Sequence, residues 1–562
     1  MDKPGPAAAE SPLSPLNPPL RRCTFPCHVH PAALAGNQHK HPVNPSPRKR
    51  DPDRFFRTEE IRATLGQRSV RGGLMTGGGQ MVRFVMQIAM NMILARLLTP
   101  DEFGVVAMVT SLMAVTMVIK DMGLTTAAIQ REEMNHALAS NLFWVSTGFI
   151  TVIVLALIGL SPLLASWFGR PEVFPIGIWI AISYWPFGVF SQHRAILTRQ
   201  MQFGRIALVE IISFGFAVTV GIIAAMMGAS YWALVFYYLV QGFGIGIGFW
   251  IASGWMPGWI HRGANIRPLL NFGGNSAAYN LVSYLSRNLD QILIGKYIGA
   301  ASLGFYERAF RLVIQPMSQV QQPLTNVALP ALSRLQHEPE RYRHYYRRAV
   351  TLMALLVAPP VTLSVIMAPE LIYVALGPGW QHTATLFAIL GITAIVTPFS
   401  YSVPWLLYSQ DRTREILKMG LISSTITVAG IIIGLQWGTT GVAWGISLSA
   451  VTVRIPFMFW YAGRRGHVRT FDILKLLPFP LGLSVIVAVV CFLYRSYWTM
   501  GQQVAELLGV VEKAVFTANL VDLLTSALLS GTAVSLFVFF TPRGRNAVKE
   551  GRKLIRSLTS NG

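Results

Sequence analysis

One pattern occurs twice in this chain, first as Ile93-Leu-Ala-Arg-Leu-Leu-Thr-Pro-Asp-Glu-Phe-Gly104 and, 200 residues later, as Leu293-Ile-Gly-Lys-Tyr-Ile-Gly-Ala-Ala-Ser-Leu-Gly304. Each copy ends a long, unusually polar segment, places a cation just past it, turns, and starts the next segment at an apolar residue followed by glycine. Self-similarity at a fixed period indicates duplicated structural units. The sequence therefore predicts two related halves.

The composition around these copies is that of a membrane protein. Hydrophobic residues make up 52% of the 562 positions and charged residues 13%, whereas a soluble domain carries roughly 25% charged residues. Apolar runs recur at about the 20-residue length that crosses a hydrocarbon core roughly 30 Å thick. We predict fourteen transmembrane helices, called spans 1 to 14, near residues 74–95, 103–120, 140–168, 173–191, 207–228, 230–252, 269–296, 303–332, 349–368, 383–409, 416–435, 438–462, 475–495 and 523–541.

The distribution of positive charge predicts how these spans are threaded. The N-terminal side of the membrane receives 37 Lys and Arg residues from alternate connections and the two tails, and the opposite side receives five. Cytoplasmic loops carry such an excess, so both termini are predicted to be cytoplasmic. This explains the net charge of +22 without a nucleic-acid partner.

The repeat and the span count together predict an all-α integral membrane fold with two six-helix lobes. Spans 1–6 and 7–12 begin on the same side, so the repeats are parallel and related by an axis along the membrane normal, an arrangement found in transporters with a central site. The predicted division is a Pro-rich tail (1–60), an N-lobe (61–268), a C-lobe (269–465), two additional helices (466–541) and a basic tail (542–562).

The N-terminal tail contains the residues that resemble a metal site. They are Cys23, Cys27, His28, His30, His39 and His41. Their spacing matches no established zinc-ligand pattern, and the surrounding segment is Pro-rich without a hydrophobic period, which is typical of disorder. We predict no metal site.

Polar side chains recur at helical spacing inside two of the spans. Span 1 carries Gln80, Arg83, Gln87 and Asn91. Span 8 carries Arg308, Arg311, Gln315, Gln319, Gln322 and Asn326, with Glu307 beside them. Ionisable residues at the bilayer centre cost roughly 2.5–3.5 kcal/mol each, so such stripes favour a water-filled cavity. The alternative is that some of them snorkel to the interface or join helices.

Span 7 adds Arg287, Asp290 and Gln291, with Arg287 and Asp290 close enough to pair. Arginine binds phosphate by bidentate hydrogen bonds, so the excess of arginine predicts an anionic cargo. The predicted cavity set is Arg83, Gln87, Asn91, Arg287, Arg308, Arg311 and Gln315. Asp290 and Glu307 are the candidates for coupling to a proton or sodium ion.

Enzyme chemistry is not indicated. The chain has no GxxxxGK[ST] motif for ATP, and the predicted outer loops are too short to supply a catalytic surface. We therefore predict no catalytic residues and no cofactor beyond a possible coupling ion, H⁺ or Na⁺.

Longer motifs carry a family resemblance. Ile93 to Met108, Asp121-Met-Gly-Leu124 and Ala128-Ile-Gln-Arg131 resemble the Wzx-like oligosaccharide flippases. The second half resembles them at Asn288 to Gly299, at Leu303-Gly-Phe-Tyr-Glu-Arg-Ala-Phe-Arg311 and at Leu329-Pro-Ala-Leu-Ser-Arg-Leu335. This family belongs to the multidrug/oligosaccharidyl-lipid/polysaccharide export superfamily, and the resemblance lies in its exopolysaccharide branch.

The resemblance implies two six-helix lobes in a V, located in the inner membrane of a bacterium. It also implies transport of polyprenyl-pyrophosphate-linked sugar repeat units from the cytoplasmic to the periplasmic leaflet, for exopolysaccharide or lipopolysaccharide biosynthesis. The implied partners are the lipid-linked oligosaccharide and membrane lipid, with contact to a polysaccharide polymerase and export machinery, and the chain is expected to act as a monomer. Three alternatives remain open: a multidrug exporter of the same superfamily, a membrane-embedded polymerase or ligase, and, within the favoured class, a teichuronic-acid or peptidoglycan-precursor flippase.

Overall fold

The structure is a computed structural model that describes residues 65–116, 134–261, 288–497 and 511–541, with the isolated positions 125, 128, 129, 544 and 545. Every regular element in these ranges is helical. The tail with its Cys and His residues, the first part of span 7 with Arg287, and most of the basic C-terminal segment lie outside the described residues.

The N-lobe elements follow the predicted spans closely. They are α1 (Leu65–Leu97), α2 (Pro100–Met113), α3 (His136–Phe168), α4 (Val173–Val189), α5 (Ser191–Arg199), α6 (Phe203–Met226) and α7 (Trp232–Ser253). Predicted span 4 ends at 191, where the structure separates α4 from the short α5.

The C-lobe continues the same order. Its elements are α8 (288–297), α9 (Ala300–Arg334), α10 (Pro339–Ile366), α11 (Ala368–Leu376), α12 (Gln381–Tyr408), α13 (Thr413–Gly434), α14 (Gly438–Ser449) and α15 (Ile455–Gly463). A π-helical turn, Ala450–Arg454, joins α14 to α15. The additional helices are α16 (Thr470–Leu474), α17 (Pro478–Tyr497) and α18 (Val511–Phe540).

Within the described ranges, nine helical segments are long and apolar enough to cross a membrane, by length and composition. One of them, Arg414–Gly463, contains predicted spans 11 and 12. The long helices α1 and α9 are not among the nine, because polar stripes lower their hydropathy. These two long helices, which are too polar to be counted as apolar spans, are the ones whose polar stripes are predicted to line a cavity.

Local chemistry fixes where the second helix of each lobe begins. Thr99 and Glu102 form a capping box, in which Glu102 accepts a hydrogen bond from the Thr99 backbone at 2.6 Å, and Pro100 occupies the first helical turn. Such boxes satisfy backbone donors that the first turn leaves free. At the equivalent point of the C-lobe, Gly299 has φ +115°, a conformation that favours glycine.

The two lobes meet through a reciprocal contact of α2 with α9. A Cβ atom on Gly104 would overlap the carbonyl oxygen of Ala300, and one on Gly304 would overlap the carbonyl oxygen of Pro100. These four positions are two pairs separated by 200 residues, the period of the sequence repeat. Each lobe therefore presents the same surface to the other, as a two-fold axis requires.

Candidate functional site: a polar cavity between the lobes

A cavity of 440 Å³ lies between the lobes, and both α2 and α9 contribute to its wall. Its volume falls within the roughly 300–1,000 Å³ of small-molecule sites. Helices α1, α2, α4 and α7 of the N-lobe form one wall, and α8 and α9 of the C-lobe form the other. The polar and charged residues that line it are Gln87, Asn91, Thr110, Ser111, Gln241, Asn288, Gln291, Glu307, Arg308 and Arg311.

The charge of the cavity comes from one turn of α9. Glu307 lies between two arginines: its carboxylate is 2.9 Å from Nε of Arg308 and forms a second ion pair with Nε of Arg311. The side chains of Glu307 and Arg308 are 4% and 10% exposed, and that of Arg311 is 38% exposed. One carboxylate thus pairs with two guanidinium groups, so the triad carries a net charge of +1. Its more exposed member, Arg311, presents positive charge to the cavity.

Arg308 also crosses to the N-lobe. Its Nη1 donates a hydrogen bond to Oδ1 of Asn91 at 2.6 Å, and its guanidinium carbon lies 4.2 Å from the centre of the Phe103 ring. A cation over an aromatic face is attracted by the ring quadrupole. Because Phe103 directly precedes Gly104, the charged triad is connected to the contact between the lobes.

Two further contacts close the bundle at the end where α1 meets α2, called here the outer end because the predicted topology places it in the periplasm. Arg96 donates to the Val374 carbonyl at 2.7 Å, near the end of α11, and Lys296 donates to the Trp167 carbonyl, near the end of α3. Cations stabilise the C-terminal ends of helices. Arg96 and Lys296 are again 200 residues apart, so each lobe caps a helix of the other.

Among the described residues, the polar stripes of α1 and α9 become exposed toward the opposite end. Along α1, the polar stripe passes from buried Asn91 to exposed Gln80; along α9, it passes from buried Arg308 to exposed Gln322 and Asn326. Polar faces of membrane helices are stable where water reaches them. Among the described residues, the contacts that close the cavity therefore lie at the outer end, and the polar stripes are exposed toward the predicted cytoplasmic end.

The structure brings together Gln87, Asn91, Glu307, Arg308 and Arg311 of the predicted residues. It places Arg83, Gln315 and Asp290 outside the cavity lining. Arg83 pairs with Glu210 of α6 at 2.6 Å. Gln315 is half-buried farther along α9. Arg287 lies outside the described residues, so its predicted pairing with Asp290 stays a prediction.

Asp290 is buried behind the cavity wall, 4% exposed. The Tyr306 hydroxyl donates to its Oδ2 at 2.6 Å, and no donor within the described ranges reaches its Oδ1. Asp290 is therefore not among the residues that line the cavity with the arginine triad.

Sequence reasoning missed the aromatic part of the wall. The residues are Phe103, Tyr184, Tyr237, Tyr238 and Phe310. Tyr237 and Tyr238 are adjacent on α7, an apolar helix without a polar stripe, and aromatic residues in such a helix are more often lipid-facing or core residues. A signal was present in Gln241, which also lines the cavity and follows Tyr237 by one helical turn.

This combination of two helical lobes, a central polar cavity and closure at one end defines a membrane transporter fold. A solved lipid II flippase, MurJ in an inward closed conformation, superimposes with a TM-score of 0.63 at 13% identity, covering 83% of this chain and 98% of that one. The likeness establishes the fold.

Sequence comparison establishes the family. The family model described as "Polysaccharide biosynthesis protein" matches residues 93–385, more than half of the chain. The chain belongs to this family, and its resemblance to Wzx-like flippases is confirmed. It is similar to the lipopolysaccharide biosynthesis protein WzxC of Escherichia coli, at 21% identity over 75% of this chain and 87% of that protein. It is also similar to the teichuronic acid biosynthesis protein TuaB of Bacillus subtilis, at 26% identity over 59% and 69%. The chain is thus a multi-pass transporter of polysaccharide biosynthesis and not an enzyme.

Proposed function

We propose that this protein moves polyprenyl-pyrophosphate-linked oligosaccharide repeat units from the cytoplasmic to the periplasmic leaflet of a bacterial inner membrane, by alternating access. The proposal rests on one observation above all, the Arg308–Glu307–Arg311 triad inside the cavity between the lobes. Guanidinium groups bind pyrophosphate oxygens with charge-assisted hydrogen bonds, and Glu307 leaves one positive charge of the triad for the cargo.

The remainder of the cavity suits the sugars. Amide side chains such as Gln87 and Gln241 offer donors and acceptors to hydroxyl groups, and the rings of Tyr237 and Tyr238 offer flat apolar faces to sugar rings. A mixture of aromatic walls and few polar groups is typical of small-molecule sites. A cationic drug would meet the same charge as its own, which disfavours a multidrug exporter.

We further propose that Asp290 exchanges the coupling proton or sodium ion. Its buried carboxylate has a tyrosine partner and no cation among the described residues, and intramembrane acids of this kind mark ion pathways in transporters. Glu307, whose carboxylate pairs with the two arginines proposed to bind the anion, is the second candidate. Replacing Asp290 with Asn should abolish the dependence of transport on an imposed ion gradient while cargo binding persists; ion-dependent transport by that variant would refute the assignment.

The cargo proposal is tested with the purified full-length chain in vesicles that contain a polyprenyl-pyrophosphate-linked oligosaccharide. We expect Arg308→Ala and Arg311→Ala to reduce cargo binding and transport by at least tenfold each, because a hydrogen bond to a charged group contributes about 1.5–3 kcal/mol. The Lys variants should retain more activity than the Ala variants if charge outweighs bidentate geometry.

Arg205→Ala is the matched control, since Arg205 is exposed on the N-lobe and makes a long hydrogen bond to the Ala252 carbonyl at 3.3 Å. Wild-type transport by Arg308→Ala, or equal losses in Arg205→Ala, would refute the cavity assignment. Contact with a polymerase and export machinery, and action as a monomer, stay predictions that co-purification and mass measurement in lipid nanodiscs would check.

A further inference from the structure

Three connections at the predicted cytoplasmic end of the C-lobe form one surface, called here the basic plate. It comprises residues 334–348, 409–418 and 463–475. The first is the connection from α9 into α10, the second joins α12 to α13, and the third runs from α15 through α16. None of these residues lines the cavity between the lobes.

Hydrogen bonds hold the three connections together. The hydroxyls of Tyr342 and Ser409 lie 2.6 Å apart, which joins the first connection to the second. Arg412 donates to the Arg465 carbonyl at 2.6 Å, which joins the second to the third. Gly466 adopts φ +106° in the turn that follows. The cations of the plate are therefore displayed on a fixed framework.

Three of the five acids of the plate form ion pairs within it, among them Glu338 with Arg341 at 2.7 Å. The plate contains twelve Lys and Arg residues and five Asp and Glu residues. Glu415 lies 2.8 Å from Arg412 and 3.6 Å from Arg464, and Asp472 pairs with Arg347. Six exposed cations form no ion pair with an acid among the described residues: Arg334, Arg414, Lys418, Arg465, Arg469 and Lys475.

Exposed apolar side chains stand beside these cations. Phe471 is 65% exposed on α16, and the ammonium group of Lys475 lies 4.5 Å from the centre of its ring. Leu474 and Leu417 are exposed next to Lys475 and Lys418. Such pairs occur where an apolar stem enters the membrane and a cation stays at the level of the headgroups. This favours a lipid surface over a soluble acidic protein.

The described N-lobe surface at the same end differs. Arg194 lies 3.5 Å from Glu210, and Arg199 donates to the Ala128 carbonyl at 3.0 Å. We propose that the basic plate binds the headgroups of anionic phospholipids in the adjoining leaflet. We also propose that the described N-lobe surface at the same end does not bind them in this way. Juxtamembrane clusters of four to eight Lys and Arg residues bind anionic lipid in this way. The proposal does not depend on the identity of the cargo.

The test titrates phosphatidylglycerol, with phosphatidylcholine as reference, into the full-length chain and counts bound lipids by native mass spectrometry. We expect selective retention of phosphatidylglycerol. The variant Arg465→Gln/Arg469→Gln should weaken it by roughly fivefold for each arginine removed, and Arg465→Lys/Arg469→Lys should retain it, because only the first pair of changes removes charge.

Arg194→Gln/Arg205→Gln removes two exposed cations from the N-lobe at the same end and should leave phosphatidylglycerol binding unchanged. Equal weakening by both Gln pairs would overturn assignment to the plate. Equal retention of phosphatidylglycerol and phosphatidylcholine by the wild type would overturn the lipid proposal itself, as would selection of a pyrophosphate lipid with no preference for phosphatidylglycerol. An unchanged melting temperature in phosphatidylcholine establishes that the Gln variants are folded.

Discussion

The reciprocal glycine contact gives a prediction whose size follows from the structure. In Gly104→Ala, the added methyl group would overlap the carbonyl oxygen of Ala300 and lie 3.0 Å from its Cα. Backbone atoms cannot rotate aside, so α2 and α9 must separate. Overpacking typically costs about 1–3 kcal/mol. This cost would lower the population of the state in which the outer end is closed, relative to states in which it is open, by roughly 5–150-fold. Gly304→Ala should have the same effect, because its methyl group meets Pro100 in the same way.

The assay measures access to the cavity from outside the cell. Thr110 lines the cavity, so Thr110→Cys, in a chain whose cysteines at 23, 27 and 491 are replaced by serine, reports its opening. We expect a membrane-impermeant maleimide added to intact cells to label this cysteine at least fivefold faster in Gly104→Ala than in the parent.

Gly148→Ala is the matched control. Gly148 also lies inside a helix, α3, and a Cβ atom there would meet nothing within 4 Å. Gly148→Ala therefore includes the gain in helix stability of about 1 kcal/mol that alanine has over glycine, but it does not disturb the contact between the lobes. Equal labelling in Gly104→Ala and Gly148→Ala would refute the reasoning.

Three further predictions test the neighbouring contacts. Arg96→Ala and Lys296→Ala should each raise the same labelling by roughly two- to fivefold, since a cation at a helix C-terminus contributes about 0.3–1 kcal/mol; no change in either would contradict the capping role. Glu307→Gln should lower the free energy of unfolding by about 3 kcal/mol, because it breaks a buried ion pair, and the melting temperature of the purified protein should fall accordingly. An unchanged melting temperature would argue against the triad. Arg83→Glu and Glu210→Arg should each cost roughly 0.5–1 kcal/mol, as expected of a partly exposed pair, and the double exchange should restore the melting temperature; additive losses in the double variant would exclude the pairing.

Much of the fold could be predicted because the bilayer leaves few choices. Backbone groups in hydrocarbon must be hydrogen-bonded within the chain, so apolar runs of the right length become helices, and the described helices match the predicted spans within several residues for most of their ends. The repeat at 200 residues predicted the two lobes, and the Gly104 and Gly304 contacts confirm it. The sequence did not reveal that these glycines touch across the lobes, since a period carries no information on contact.

The site was predicted in part, for an equally physical reason. Polar stripes locate the wall of a cavity, and Asn91, Arg308 and Arg311 lie there. A stripe does not say which member finds a partner elsewhere: Arg83 is paired with Glu210, 127 residues away, and Asp290 with Tyr306. Helical spacing describes one helix at a time, whereas pairing depends on its neighbours.

The symmetry of the lobes and the asymmetry of their charge have an evolutionary consequence. The contacts that close the protein recur 200 residues apart, whereas the positions that precede Glu307, Arg308 and Arg311 by 200 residues are Ala107, Met108 and Ser111. The duplicated pattern therefore carries the contacts between the lobes, whereas the charged triad belongs to one lobe alone. Substitutions in the turn that carries the triad can therefore change the chemistry of the cavity during evolution while the contacts between the lobes are inherited unchanged.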